Sequence, residues 1–245
     1  MWQGLKPPVA RRLFPRLRPS LAADCLYSIL KKMASPEEQS AIREILRAAR
    51  HQTLVELGAH CGEDEGWLRA ACPFGMDHVM VEPDMRNAQY LIDKPTGPHR
   101  RVILGAVSDQ DGMADFHFCR NDRDNNRASG SLRNPTGHRV HFPWITFPYV
   151  GMVPTFTLDT IFERERLTKI DLLWVDIQGA EKDMIAGGQA ALSHSRYVFM
   201  EAETVELYEG EALKHELIAL LPGWTLMQDF GYNILLKNEK FSERA

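Results

Sequence analysis

No stretch of this 245-residue chain comes near the ~20 consecutive apolar residues that a membrane-crossing helix needs. Cysteine is scarce: Cys25, Cys61, Cys72 and Cys119 form no C-x-x-C pair and no zinc-type spacing. A disulfide scaffold and a zinc module are thereby disfavoured, and a reduced cytoplasmic protein is the default expectation. Charge of one sign is also missing. Lys and Arg number 29 against 33 Asp and Glu, a net charge of -4, which gives no global drive toward nucleic acid or anionic membranes. There is no internal repeat and no low-complexity tract. What remains is an ordinary globular composition, long enough for one large domain.

The most informative stretch is Leu172–Leu192, LLWVDIQGAEKDMIAGGQAAL. Leu172 to Val175 is a short bulky run suited to a buried strand. Asp176 ends it, Gly179 supplies the freedom a sharp turn needs, and Met184, Ile185 and Leu192 give the next segment one apolar helical face. A strand, a polar loop and a crossover helix follow from that pattern. In open α/β sheets ligands bind outside the carboxyl ends of the strands, where Asp176, Gln178 and Glu181 would lie.

Upstream, the first 23 residues carry Lys6, Arg11, Arg12, Arg16 and Arg18 and no acid, but Pro7, Pro8, Pro15 and Pro19 preclude a long amphipathic helix. A solvated basic arm is the expectation there. Ser35-Pro36-Glu37-Glu38 reads as a capped helix start, with a buried stripe at Ile42, Ile45 and Leu46. Thr53–Leu57 is a strand running into Gly58-Ala59-His60-Cys61-Gly62, and a helix is expected near Trp67–Ala71. Met76–Glu82 and Arg101–Val107 are further strands, ending on Glu82 and on Ser108-Asp109, and Met113–Phe118 alternates like an edge strand. Residues 120–153 break the rhythm and are expected to form a long substrate loop or lid. Tyr197–Ala202 is another strand, followed by a helix near Leu213–Leu221 and an antiparallel pair at Thr225–Met227 and Ile234–Leu236. Strands alternating with helices predict a mostly parallel sheet covered on both faces.

Three strand ends suggest a nucleoside cofactor. Glu56-x-Gly58-x-x-x-Gly62 forms a turn that lets a ligand approach, Glu82 can accept ribose hydroxyls, and Asp109 can accept an adenine amino group. A dinucleotide site wants G-x-G-x-x-G, and here His60 stands at the middle position while Glu56 brings negative charge that suits a sulfonium better than a pyrophosphate. S-adenosylmethionine is therefore favoured over NAD.

The blocks Val55–Gly62, Val81–Asp84, Ala106–Asp109, Ser129–Leu132, Thr155–Asp159, Val175–Glu181 and Met200-Glu201 together make residues 53–237 resemble the FkbM family of S-adenosylmethionine-dependent methyltransferases. The resemblance implies a Rossmann-like methyltransferase fold of class α/β, with seven strands, the last antiparallel. It also implies methyl transfer to a hydroxyl of a small molecule or glycan. The corresponding division is 1–50 as arm and helical segment, 51–240 as methyltransferase domain and 241–245 as tail. The cofactor would contact Glu56, Gly58, Ala59, His60, Gly62, Glu82, Pro83, Ser108, Asp109 and Asp176. Candidate bases are Asp176, His60 and Glu201; the acceptor would meet Ser129, Ser131, Leu132, Gln178 and Glu181. Asp176, Glu181 and Glu201 together would suit a hard cation, but nothing in their spacing requires one, and no metal is expected. The family often has a lysine two residues before the aspartate; Trp174 stands there. The rival readings are an NAD-type oxidoreductase, a non-catalytic adenosylmethionine-binding protein of the same fold, and nucleic-acid modification, which the basic arm allows but the acidic balance and the lack of a clustered basic-aromatic face oppose.

Overall fold

A computed structural model of the chain describes residues 34–47, 50–94, 99–123 and 126–242. The expected basic arm lies outside these residues. Helix α1 (Pro36–Leu46) starts as its sequence dictates. The Ser35 hydroxyl accepts from the Glu38 N–H at 3.3 Å, and the Glu38 carboxylate accepts from the Ser35 N–H at 2.6 Å, closing a capping box. Strand β1 (Gln52–Leu57) follows, then α2 (Glu65–Ala71), β2 (Met76–Glu82), α3 (Met85–Asp93) and β3 (Arg100–Leu104). After β4 (Ala106–Val107) and β5 (Gly112–Asn121) come the short α4 (His138–His141) and β6 (Ile145–Phe156). The second half holds α5 (Leu158–Arg164), β7 (Ile170–Val175), α6 (Glu181–Ala186), α7 (Gln189–Ser193), β8 (Ser195–Glu201), α8 (Lys214–Ala219), β9 (Trp224–Asp229) and β10 (Asn233–Asn238).

The main sheet has seven strands in the order β3-β2-β1-β7-β8-β10-β9. Pairing is parallel from β3 through β8, and β10 runs antiparallel to both β8 and β9. This is the Rossmann-like methyltransferase arrangement expected from the sequence. Alternation along each strand divides the core into two layers. Val55, Leu57, Leu173, Val175, Val198, Met200, Ile234 and Leu236 pack with Leu158, Ile161, Met184, Ile185 and Leu217 from α5, α6 and α8. The intervening residues Leu54, Leu172, Trp174, Tyr197, Phe199 and Leu235 pack on the other face with Ile42 and Leu46 of α1 and Trp67 and Leu68 of α2. Trp174, at the position of the family lysine, is thus a core residue. Its ring centroid lies 4.6 Å from that of Phe199 and 6.1 Å from that of Trp67.

Two expectations change. The third strand is not continuous to Val107, because Gly105 interrupts it and β4 leaves the main sheet. A second sheet, β4-β6-β5, takes both β4 and the strand expected at an edge. The 120–153 stretch is accordingly not one long loop. Its last part, from Ile145, is the start of β6, paired with β5 from Asn121↔Ile145 back to Gly112↔Thr155.

α1 lies upstream of the region that carries the family resemblance, yet it seals the Trp174 layer. Replacing Ile42, which is fully buried, with alanine is expected to cost about 2–5 kcal/mol. Chemical denaturation of the variant and the parent measures this. A loss below 0.5 kcal/mol, by rough reckoning the range of surface substitutions, would show that α1 does not close the core.

Candidate active site

The loops after β1 and β7 meet at the carboxyl end of the sheet. Asp176 donates its N–H to the Leu57 carbonyl at 3.0 Å. Gly58, at φ +82°, lies so close that a Cβ on it would stand 1.8 Å from the Asp176 carbonyl oxygen. No residue but glycine fits there. Beyond it the chain turns back through His60, which also has a positive φ of 46°.

A cleft opens beside this junction, lined by Gly58, His60, Glu82, Pro83, Asn87 and Asp176, with Gly105, Ala106 and Val107 along one wall. Glu82 is its buried acid. One carboxylate oxygen accepts the His60 N–H at 2.8 Å and the other the Asp84 N–H at 2.9 Å. The oxygen facing Asp84 also accepts the Asn87 side-chain amide at 3.4 Å, so of the carboxylate's about four lone-pair directions one stays open, on the oxygen facing His60. Burial pushes the Glu82 carboxyl up to about 7. The Asn87 side-chain oxygen beside it is buried without a hydrogen-bond partner. A ligand with two adjacent hydroxyls and a polar base edge would satisfy these groups, so the cleft fits a nucleoside.

A second cavity adjoins the first. Ser129, His138, Phe142, Gln178, Glu181, Glu201, Glu203, Tyr208 and Glu211 are on its walls. Gln178 belongs to both spaces. Its amide nitrogen donates to Asp176 at 2.6 Å and to Glu201 at 2.6 Å, and its amide oxygen accepts the Tyr208 hydroxyl at 2.8 Å. Both donors of the amide are used, which fixes its orientation. The Gln178 backbone, at φ 55°, accepts the Ser131 hydroxyl at 2.6 Å. The segment after β5 is thereby tied to the loop after β7.

Burial raises the carboxyls of Glu203 and Glu211 above the ordinary range, helped by Glu211 for the first and Glu206 for the second. Burial likewise raises Glu181 to about 7, with the Asp176 charge adding to it. His138 is only 4% exposed, packed by Phe142, Phe147 and Tyr208, and burial lowers its imidazole to about 4. It is neutral at physiological pH, and its Nδ1 has no partner.

The structure gathers many of the sequence candidates and separates others. Gly58, His60, Glu82, Pro83, Leu132, Asp176 and Gln178 line the first cleft; Ser129, Gln178, Glu181 and Glu201 line the second. Ser131 is fully buried and acts through Gln178. Glu181 spends one oxygen on the Ile177 and Gly179 N–H groups, at 3.3 and 3.4 Å, and so supports its own loop. The His60 imidazole is held by the Glu63 carboxylate. Ala59 donates its N–H to Val81 and packs against Met80 and Leu91, and Gly62 lies against Leu91 and Lys94; both build the loop from behind.

Glu56 does not face the cleft. Strand alternation turns it to the opposite side of β1, where its carboxylate sits 2.9 Å from His78 in a buried pair not aligned for a hydrogen bond. The acids that line the cleft are Glu82 and Asp176. Ser108 and Asp109 also stand apart from the cleft: β4 has left the main sheet by then, the Ser108 N–H pairs with Phe156, and the Asp109 side chain is exposed. Gly105, Ala106 and Val107 take the place assigned to Asp109. Asn87, His138, Tyr208 and Glu211 escaped sequence reasoning. Only His138 had a local signal, an imidazole in an aromatic-rich stretch.

Residues 56–234 match the model of the methyltransferase FkbM domain. The chain belongs to the FkbM methyltransferase family. Methyl transfer is its activity. A 2-O-methyltransferase, NoeI, of Sinorhizobium fredii (strain NBRC 101917 / NGR234) is 37% identical over 167 residues, 65% of this chain and 68% of that protein. Among solved structures, the methyltransferase FkbM of Methylobacillus flagellatus KT is 15% identical with a TM-score of 0.48; the likeness covers 94% of this chain and 58% of that one. The Bacillus cereus O-methyltransferase in complex with SAH is 13% identical with a TM-score of 0.49, covering 94% of both chains. With TM-scores under 0.5, neither structure bears on the assignment.

The methyltransferase's amide hub gives a direct test. Gln178→Glu would set a third carboxylate between Asp176 and Glu201. Repulsion raises the folded-state pKa of the new acid, so the variant keeps its stability below the unfolded value of about 4.3 and loses it as pH rises through the folded value. Urea denaturation should show a deficit of about 1–3 kcal/mol at pH 8 that shrinks toward pH 5. An equal deficit at both pH values would mean that the two carboxylates are not coupled through the amide.

Proposed function

We propose that this methyltransferase uses S-adenosylmethionine to methylate a hydroxyl group of a small molecule or glycan, with the cofactor in the first cleft and the acceptor in the second. The observation that carries the reading is the Gln178 junction, where a nucleoside-fitting cleft and an acid-walled cavity share one side chain bound to both Asp176 and Glu201. Glu82 would hold the ribose hydroxyls, Asn87 and the Gly105–Val107 wall the adenine side, and Asp176 the cationic end. Pyrophosphate would meet two carboxylates here, which disfavours NAD. The name of the NoeI relative supports oxygen as the methylated atom.

Once bound, the sulfonium supplies an electrophilic methyl group, so the protein's part is chiefly alignment. The acceptor hydroxyl enters from the second cavity, between Glu201 and Asp176. As its oxygen takes the methyl, its proton passes to a carboxylate. Asp176 is assigned that role because it lines the cofactor cleft while Gln178 fixes its oxygen. Glu201, held by the same amide, orients the acceptor. Neutral His138 offers the acceptor a further hydrogen bond against an aromatic wall.

Calorimetric titration with S-adenosylmethionine should give micromolar affinity, and NAD should not bind. Hydroxyl donors favour the ionised form of Glu82, whose folded value is about 7. Affinity should therefore rise between pH 6 and pH 8 and level off above. Glu82→Gln should bind more weakly and lose the pH dependence. Failure of S-adenosylmethionine to bind, or NAD binding in its place, would overturn the cofactor reading.

A further inference from the structure

At the opposite end of the sheet from both cavities, the starts of three neighbouring strands place two imidazoles around one carboxylate. His51 precedes β1, Asp77 is the second residue of β2 and His99 precedes β3. The parallel register explains why they meet. Thr53 pairs with Asp77, and His78 pairs with Arg100, so Asp77 stands level with His99 on one side and Thr53 on the other, with strands about 4.8 Å apart; His51, two residues before Thr53, shares its side of the sheet. The His78 N–H bonds the His99 carbonyl at 3.0 Å, which fixes the His99 side.

His51 Nε2 lies 3.1 Å from one Asp77 oxygen and His99 Nδ1 lies 2.9 Å from the other. The two rings stand with centroids 5.2 Å apart. One ligand atom from each of the three residues lies within 4.8 Å of the others. Donor atoms about 2.0 Å from a tetrahedral ion are about 3.3 Å from one another, so small side-chain rotations bring this set onto one centre. Two imidazole nitrogens and a carboxylate suit a borderline divalent cation such as zinc. Both histidines are exposed, so the remaining positions are open to water. The Arg101 guanidinium, 3.8 Å from Asp77, opposes a cation, but it is also drawn to Glu165, donating to its carbonyl at 3.0 Å.

The other group of metal-binding residue types among the described residues, His60, Cys61 and Glu63, is built differently. Its three donor atoms also lie within 4.8 Å of one another, but His60 and Cys61 are buried, whereas both imidazoles of the strand-start cluster reach solvent and leave positions open to water.

We propose that His51, Asp77 and His99 form a divalent-cation site of the zinc type. It lies away from the methyl-transfer cavities and joins the amino ends of β1, β2 and β3. The cation takes the place of the contacts that the two rings now make with Asp77. Because it holds the native strand arrangement, it raises thermal stability by mass action and leaves the cofactor cleft alone.

Chelator-treated full-length protein would be titrated with zinc chloride by calorimetry. The expected result is one saturable site of micromolar affinity, with a melting temperature several degrees higher at saturation. His51→Ala and His99→Ala should each weaken binding at least about tenfold, a loss of the size seen when part of a metal's ligand environment is removed. His215→Ala, at an exposed histidine outside the cluster, should bind zinc like the parent. Circular dichroism of the two surface variants would establish that they fold. Absence of saturable binding, or binding that survives the double His51→Ala/His99→Ala substitution, would overturn the proposal.

Discussion

The close approach of two strand ends sets the geometry of this protein. Gly58 rests on the Asp176 carbonyl with no room for a side chain, and the Asp176 N–H returns a hydrogen bond to Leu57. The contact is backbone to backbone, so it places both loops independently of any rotamer. His60 can then double back to give its N–H to Glu82 on the next strand. Asp176, Ile177 and Gln178 are delivered to the other side of the same cleft. A glycine at one position thus organises three strand ends into one site.

The second organising feature is polar. An amide with four hydrogen-bonding opportunities is costly to bury unless its partners are supplied. Gln178 finds Asp176, Glu201 and Tyr208, which come from the loop after β7, the end of β8 and the segment beyond it. Tyr208 is also placed to donate to the Ser129 carbonyl at 3.0 Å. The result links the two cavities through one rigid group. Preorganisation of this kind is what an in-line displacement asks of a protein, since the reacting atoms need alignment more than covalent help.

Around that hub the electrostatics are lopsided. Four glutamates line the second cavity, and burial holds three of them above the usual carboxylate range. Such a wall is rich in carboxyl oxygens and poor in basic groups. The Trp174 substitution contributes nothing to this wall. It belongs instead to the opposite layer, where α1 and α2 cover it.

Much of the fold was legible in the chain itself. Strand composition, the Ser35–Glu38 cap and the turn glycines act locally, over a few residues, so the sequence determined the βα units, the antiparallel closing pair and the helix ahead of β1. That Glu82 and Asp176 would share one cleft was legible too, because strand ends in a parallel sheet converge on one edge. Which way Glu56 faced, where the chain left the main sheet and which side chains closed the second cavity depended on contacts between distant segments. Glu56 has the same composition signal as a cofactor acid, and only its phase along β1 turns it to His78. Asp109 lost its assigned place because Gly105 lets β4 pair with β6, some 50 residues on. Tyr208 and His138 acquire meaning only when the chain brings them to Gln178. Local propensity fixes elements; the packing of those elements against one another decides which polar groups share a cavity.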